Sequence, residues 1–238
     1  MRFLKYFILM CVSFVFVSGA FAADKPRLGV LRFTNDTNAG WWKASVGRDL
    51  QDMLISELAS TKAFRVLERK EIDSVMGEQN MSASGRVDKA TKVKMGKLKG
   101  AQYLVAATVS AYEEDTSGTG GGFGIAGFSI GGKKEKAYMA VDLKVIDTTT
   151  GEIADSRTVE ASSSSSALSL GGHVGMFSGG LSQYSKTPTG KAIRACIIEI
   201  AEYLKCSMVQ GQDSDCMQEY AAKESKRKET TKKSIDLE

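Results

Sequence analysis

Apolar and polar positions alternate in blocks along the chain, and most blocks have a clear period. Arg27-Leu28-Gly29-Val30-Leu31-Arg32-Phe33 reads as a first strand, apolar enough to be central in a sheet. A polar loop follows over Thr34 to Gly40, with Asn35, Asp36 and Asn38 as turn formers, and it ends at Trp41 and Trp42. Val46, Leu50, Met53, Leu54 and Leu58 then fall at helical spacing behind Ser45, a suitable N-cap. Phe64 to Leu67 predicts a short strand, and Ile72, Val75 and Met76 mark a second helix. Asp88 is expected to cap a third helix, with Ala90, Val93 and Leu98 inward and Gly100 ending it. Tyr103 to Val109 is a strand too apolar to face water on one side, which implies that helices cover it. Ala137 to Ile146, a tight turn at Asp147 to Gly151, and Ile153 to Glu160 predict two paired strands. Thr187-Pro188 opens a last helix, whose stripe is Ile193, Cys196, Ile197, Ile200, Ala201 and Leu204. The fold class that results is α/β, a mixed sheet packed with helices. A lysine- and glutamate-rich tail over 218–238 is expected to be a solvated helix or disordered.

Two long segments interrupt this order. The first, 112–138, is glycine-rich and carries Phe123, Ile125, Phe128 and Ile130. The second, 160–186, shows period-two alternation. Leu168, Leu170, Val174 and Met176 share one parity, and Ser169, Gly171, His173 and Gly175 share the other. Two readings stay open. Both segments suit flexible glycine- and serine-rich loops. Both are also long enough for hairpins whose strands of about ten residues cross a bilayer when tilted. On the second reading Phe123, Ile125, Leu168, Leu170, Val174 and Met176 are the candidate membrane-facing residues. Unpaired backbone groups in hydrocarbon cost several kcal/mol each, so only a closed barrel is tolerated. One chain offers about four strands, too few to close a barrel, so membrane insertion requires an oligomer.

The N-terminus adds a destination. Arg2 and Lys5 precede an apolar run from Phe7 to Val17, and Ala20-Phe21-Ala22 is a small-x-small cleavage pattern. Residues 1–22 therefore read as a secretory signal peptide, and 23–217 as one domain. Cys11 sits inside the apolar run after Met10 and lacks the small residues of a lipidation site. Export permits a disulfide, and Cys206 and Cys216, which flank a polar loop, are the candidates; Cys196 falls in a helical stripe as a buried thiol.

Charge and chemistry exclude more than they suggest. A net charge of +4 with interspersed lysines and acids leaves no nucleic-acid footprint. His173 is the sole histidine and stands apart from any Cys/His cluster, so no metal site or cofactor is expected. The serine run Ser162 to Ser166 lacks a nucleophile elbow. The glycines from Gly118 to Gly124 lack the Lys-Ser/Thr of a phosphate loop. The expectation is a protein that is not an enzyme. Asn35-Asp36-Thr37 fits a glycosylation sequon but reads more simply as a turn.

Several segments, in order, resemble the curli production channel family (CsgG/HfaB-like). They are Arg27 to Phe33, Val46 to Leu58, Phe64-Arg-Val-Leu-Glu-Arg69, Lys94-Met-Gly-Lys-Leu-Lys-Gly-Ala-Gln-Tyr-Leu-Val105 and Ala140-Val-Asp-Leu-Lys-Val-Ile-Asp-Thr-Thr-Thr-Gly-Glu-Ile153. The resemblance implies a periplasmic α/β domain that forms a homo-oligomeric ring at the outer membrane. Each copy would give two hairpins to a shared barrel and so export unfolded extracellular fibre subunits. It implies as partners a secreted polypeptide and a periplasmic accessory factor. It also implies that the loop after the first strand narrows the channel, which makes Trp41, Trp42 and Asn38 the candidate constriction residues. The alternative is a soluble periplasmic scaffold or binding protein on the same domain, resembling activators of cell-wall synthases.

Overall fold

The computed structural model describes residues 24–115, 136–164 and 186–233. Residues 1–23, expected to hold the signal peptide, and most of both insertions, with Phe123, Ile125, Leu168, Leu170, His173, Val174 and Met176, lie outside these residues.

Among the described residues six strands form one mixed sheet: β1 (Arg27–Val30), β2 (Thr34–Asn35), β3 (Arg65–Leu67), β4 (Tyr103–Asp115), β5 (Lys136–Asp147) and β6 (Ile153–Ser164). The order is β3-β1-β4-β5-β6, and β2 also pairs with β4. β1 is parallel to both β3 and β4, and β4, β5 and β6 run antiparallel in turn. The expected first strand is therefore interior but broken. β1 pairs with Tyr103 to Val105, and β2 resumes along the same edge opposite Thr108 and Val109. The chain bends between them because the N-terminus of helix α1 (Val46–Ser60) presses there, and Phe33 N donates to Gly47 O at 3.1 Å. A Cβ on Gly47 would lie 2.4 Å from Phe33 O, so this approach requires glycine.

Two helices make the core with the sheet. α1 buries Val46, Leu50, Leu54 and Leu58. α3 (Pro188–Lys205) buries Ile193, Cys196, Ile197, Ile200, Ala201 and Leu204, the stripe read from sequence. Thr187 Oγ1 accepts from Gly190 N at 3.1 Å, and Pro188 occupies the first turn as expected. Ser45 holds the N-cap position of α1, but its side chain makes no capping bond. Facing the helices are Val105, Ala107 and Val109 of β4 and Met139, Val141, Leu143 and Val145 of β5, alternate residues of one face. Each fully buried Leu, Ile or Val contributes about 1.5–3 kcal/mol.

Cover on both faces of β4 was expected, and the structure corrects this. Leu104, Ala106 and Thr108 on the far face are only half-buried. That face is mostly small or hydroxylated, with Thr108 Oγ1 bonded to Thr34 Oγ1 at 2.7 Å, and an antiparallel partner lets such a face meet water.

The third expected helix is also absent. After α2 (Ile72–Ala83), residues 84–102 return to β4 without a helix or strand. Asp88 Oδ1 accepts from Ala90 N at 2.6 Å, a turn contact, and Gly96 at φ 72° breaks the segment. Val93 and Leu98, expected inward, are exposed.

The tail forms helix α4 (Asp215–Lys233), tied to α3 through a short π-helical segment, Cys206–Gln210, and a Cys206–Cys216 disulfide. It is not simply solvated, because Tyr220 is buried edge-on to Tyr203 at 5.2 Å. The Arg157 guanidinium lies 4.9 Å from the Tyr203 ring and 4.7 Å from the Tyr220 ring. Burial pushes the Tyr220 hydroxyl up to about 12. Further along, Arg227 bridges Glu224 at 2.7 Å and Glu160 at 3.2 Å, and its hydrogen bond draws the Glu224 carboxyl down to about 2. Cys196 is the buried free cysteine, its thiol raised to about 12 by burial.

Candidate functional site

The two insertions leave and rejoin the described fold at one end of the sheet. Asp115 of β4, Lys136 of β5 and Ser164 of β6 are neighbours in register, since Asp115 pairs with Lys136 and Lys136 with Ser164. The second insertion rejoins the fold at Thr187, the cap of α3. The start of α3 belongs to the same end, because Thr189 Oγ1 lies 2.9 Å from Tyr112 Oη near the end of β4.

The loop after β2 closes over this end. Asn35 organises it locally. Its Oδ1 accepts from Thr37 N at 3.2 Å and from Thr37 Oγ1 at 2.7 Å, and its Nδ2 donates to Thr37 O at 2.9 Å. The Asn-Asp-Thr segment is thus a self-bonded turn, as its residue types predicted. Thr37 Oγ1 next accepts from Ala39 N at 3.2 Å, and Trp42 N donates to Ala39 O at 3.0 Å. The loop is anchored to the sheet where Asp36 N donates to Val109 O at 3.0 Å. Arg32 reaches across to the carbonyl of Ala44.

The three constriction candidates separate within this loop. Trp41 is 3% exposed and belongs to the core, its ring edge-on to Tyr112 at 5.5 Å and to Trp42 at 5.6 Å. In the single chain it therefore acts as an anchor, the role that an indole beside an amphipathic helix ordinarily takes. Its Nε1 is buried without a hydrogen-bond partner. Trp42 is half-buried on the rim of the cluster, and Asn38 is exposed at the loop tip. Tyr112 and Thr189, which complete the cluster, carry no sequence signal. Each lies at an element end, and only the topology brings residues 77 positions apart together.

Among the described residues no group of His, Cys, Asp and Glu is placed to hold a metal, and no helix is long and apolar enough to cross a membrane. The arrangement is an aromatic cluster that packs a loop beside the roots of two insertions. The fold and this end together define an α/β domain in which the roots of two long insertions and one ordered loop lie at the same end of the sheet.

The family model described as "Curli production assembly/transport component CsgG" matches residues 12–235, and the chain belongs to that family. A Neisseria meningitidis serogroup B protein that bears a lipoprotein name (NMB1126/NMB1164) is 30% identical over 173 residues, covering 73% of this chain and 68% of that one. Among solved structures, CT253 from Chlamydia trachomatis matches with a TM-score of 0.45 at 13% identity, over 76% of this chain and 96% of that one. A PelC dodecamer from Paraburkholderia phytofirmans matches with a TM-score of 0.37 at 11% identity, over 74% and 85%.

Proposed function

We propose that this protein is an exported envelope protein and one subunit of an oligomeric outer-membrane secretion pore. The convergence of both insertions on one end of the sheet carries this reading. Three strand ends stand side by side at Asp115, Lys136 and Ser164, so the chain between 116 and 135 starts and finishes on paired strands. That is the geometry from which a hairpin extends without re-registering. One copy has too few strands to close a barrel, and open edges in hydrocarbon are prohibitive, so neighbouring copies complete the wall. Family membership supports the transport role, and unfolded extracellular fibre subunits or similar polypeptides are the cargo. The Asn38–Trp42 loop beside the insertion roots bounds the passage. Asn38 and Trp42 face it, and the buried Trp41 holds the loop in place. Conduction of this kind needs no catalytic group.

Purification from washed envelopes with and without detergent, followed by electron microscopy, tests the proposal. Rings that require detergent for extraction are the expected result. A water-soluble monomer released without detergent overturns the pore and leaves the periplasmic scaffold, which the lipoprotein name of the Neisseria relative also suits.

A further inference from the structure

The arm between β3 and β4 stands apart from the rest of the domain. Val75, Met76 and Met81 of α2 are exposed, and so are Val93, Met95 and Leu98 of the segment that follows it. Between Arg86 and Lys99 the chain carries six cations, namely Arg86, Lys89, Lys92, Lys94, Lys97 and Lys99, against the single acid Asp88. That excess is larger than the net +4 of the whole chain, so the remaining residues are slightly acidic. Over Lys92-Val93-Lys94-Met95 cations alternate with apolar side chains, in backbone that belongs to no helix or strand. A shallow hollow of about 480 Å³ between the end of α2 and this stretch is lined by Ala83, Lys89, Lys92, Val93, Lys94 and Met95. Val93 N donates to Ser82 Oγ at 3.4 Å, which links the stretch to the fully buried Ser82 of α2.

We infer that this arm is a docking surface for unfolded, acidic polypeptide. Flexible methionines let an apolar surface adapt to many sequences, which suits a partner without fixed shape. The lysines select for acid and hasten encounter. Placement favours a polypeptide over a lipid surface. The arm returns to the sheet at Gly100, whose carbonyl accepts from Arg27 Nε at 3.0 Å, next to Tyr103 at the start of β4. The insertions root at the other end of that 13-residue strand, roughly 40 Å away at about 3.3 Å per residue. A membrane engaged by the insertions is thus remote from the arm, and the arm lies where cargo enters. The inference rests on the secretion reading and names its cargo class as acidic and unfolded.

The test uses the full chain and, as probe, fluorescently labelled α-lactalbumin that has been reduced and carboxymethylated, a permanently unfolded acidic protein. Binding is followed by anisotropy and is expected to weaken as salt rises. Lys92, Lys94, Lys97 and Lys99 changed together to Gln should weaken it by roughly tenfold or more, and Val93→Ser with Met95→Ser by several-fold. Circular dichroism should show both variants folded, because every altered side chain is exposed. Unchanged binding in both variants overturns the inference. So does capture of phosphatidylglycerol vesicles without capture of the polypeptide, and so does a Lys→Gln variant that loses the ring, because the arm is then an interface between copies. Rings without polypeptide binding refute the cargo surface alone. Binding without rings leaves the surface standing and refutes the pore.

Discussion

The two ends of this sheet solve opposite problems. At the insertion end, large side chains turn inward: Trp41 is 3% exposed and meets Tyr112 edge-on at 5.5 Å and Trp42 at 5.6 Å. At the arm end they turn outward: Met95 is 54% exposed and Met81 52%. A polar turn bonded to itself by Asn35 and Thr37 carries the first set, and lysines interleave the second. The contrast is between geometry that must be held and surface that must adapt. On the proposed reading, a loop that bounds a passage gains from rigidity, and a surface that accepts varied chains gains from methionine.

The largest effect that would sharpen this contrast is at Trp41. Trp41→Ala should cost about 3–5 kcal/mol in denaturant unfolding, the range for removing a buried indole. Trp41→Phe should cost clearly less than the alanine change, since it keeps a ring against Tyr112 and deletes an indole N–H that now lacks a partner. If the alanine variant is as stable as the parent, the clamp is not part of the core and the insertion end is not rigid.

Next in size is Gly47→Ala. The added Cβ meets backbone, Phe33 O, at 2.4 Å, and backbone does not swing aside as a side chain does. The strain should cost about 1–3 kcal/mol by the usual penalty for overpacking. It should act through the β1–β2 bend and so loosen the loop above it. Amide exchange at Asp36, Ala39 and Trp42 should rise by more than at Val141 in the centre of the sheet. Equal acceleration everywhere would mean that the bend does not control the loop.

How much of this could be read from the chain follows from what each part depends on. The α3 stripe and the Thr187–Pro188 start were legible because period 3.6 and a cap are local properties. So were the β5–β6 pair and its turn, where Asp147 Oδ1 accepts from Thr149 N at 2.7 Å. The helix expected between Asp88 and Gly100 does not form, because Val93 and Leu98 are not core residues, and Gly96 and the flanking lysines are the signals against it. The half-covered far face of β4 was missed because Ala106 counts as apolar in a pattern yet buries little. The insertion end was half legible. The loop and its tryptophans stood out, but Tyr112, Thr189 and the alignment of Asp115, Lys136 and Ser164 are products of topology.

The smallest effect belongs to the arm, and its smallness is the point. Met95→Ser with Leu98→Ser should change unfolding free energy by no more than about 0.5 kcal/mol, because exposed side chains lose little water-facing area on folding and so give little back when cut. A core pair of the same size would cost several kcal/mol. The same double variant in the assembled protein gives the second half of the measurement. If these residues meet only mobile cargo, thermal stability of the assembly stays as flat as that of the chain. If stability of the assembly alone falls by several degrees, the apolar side chains are packed against a neighbouring copy, and the contrast between a rigid end and an adaptable one gives way to a contrast between a core and an interface.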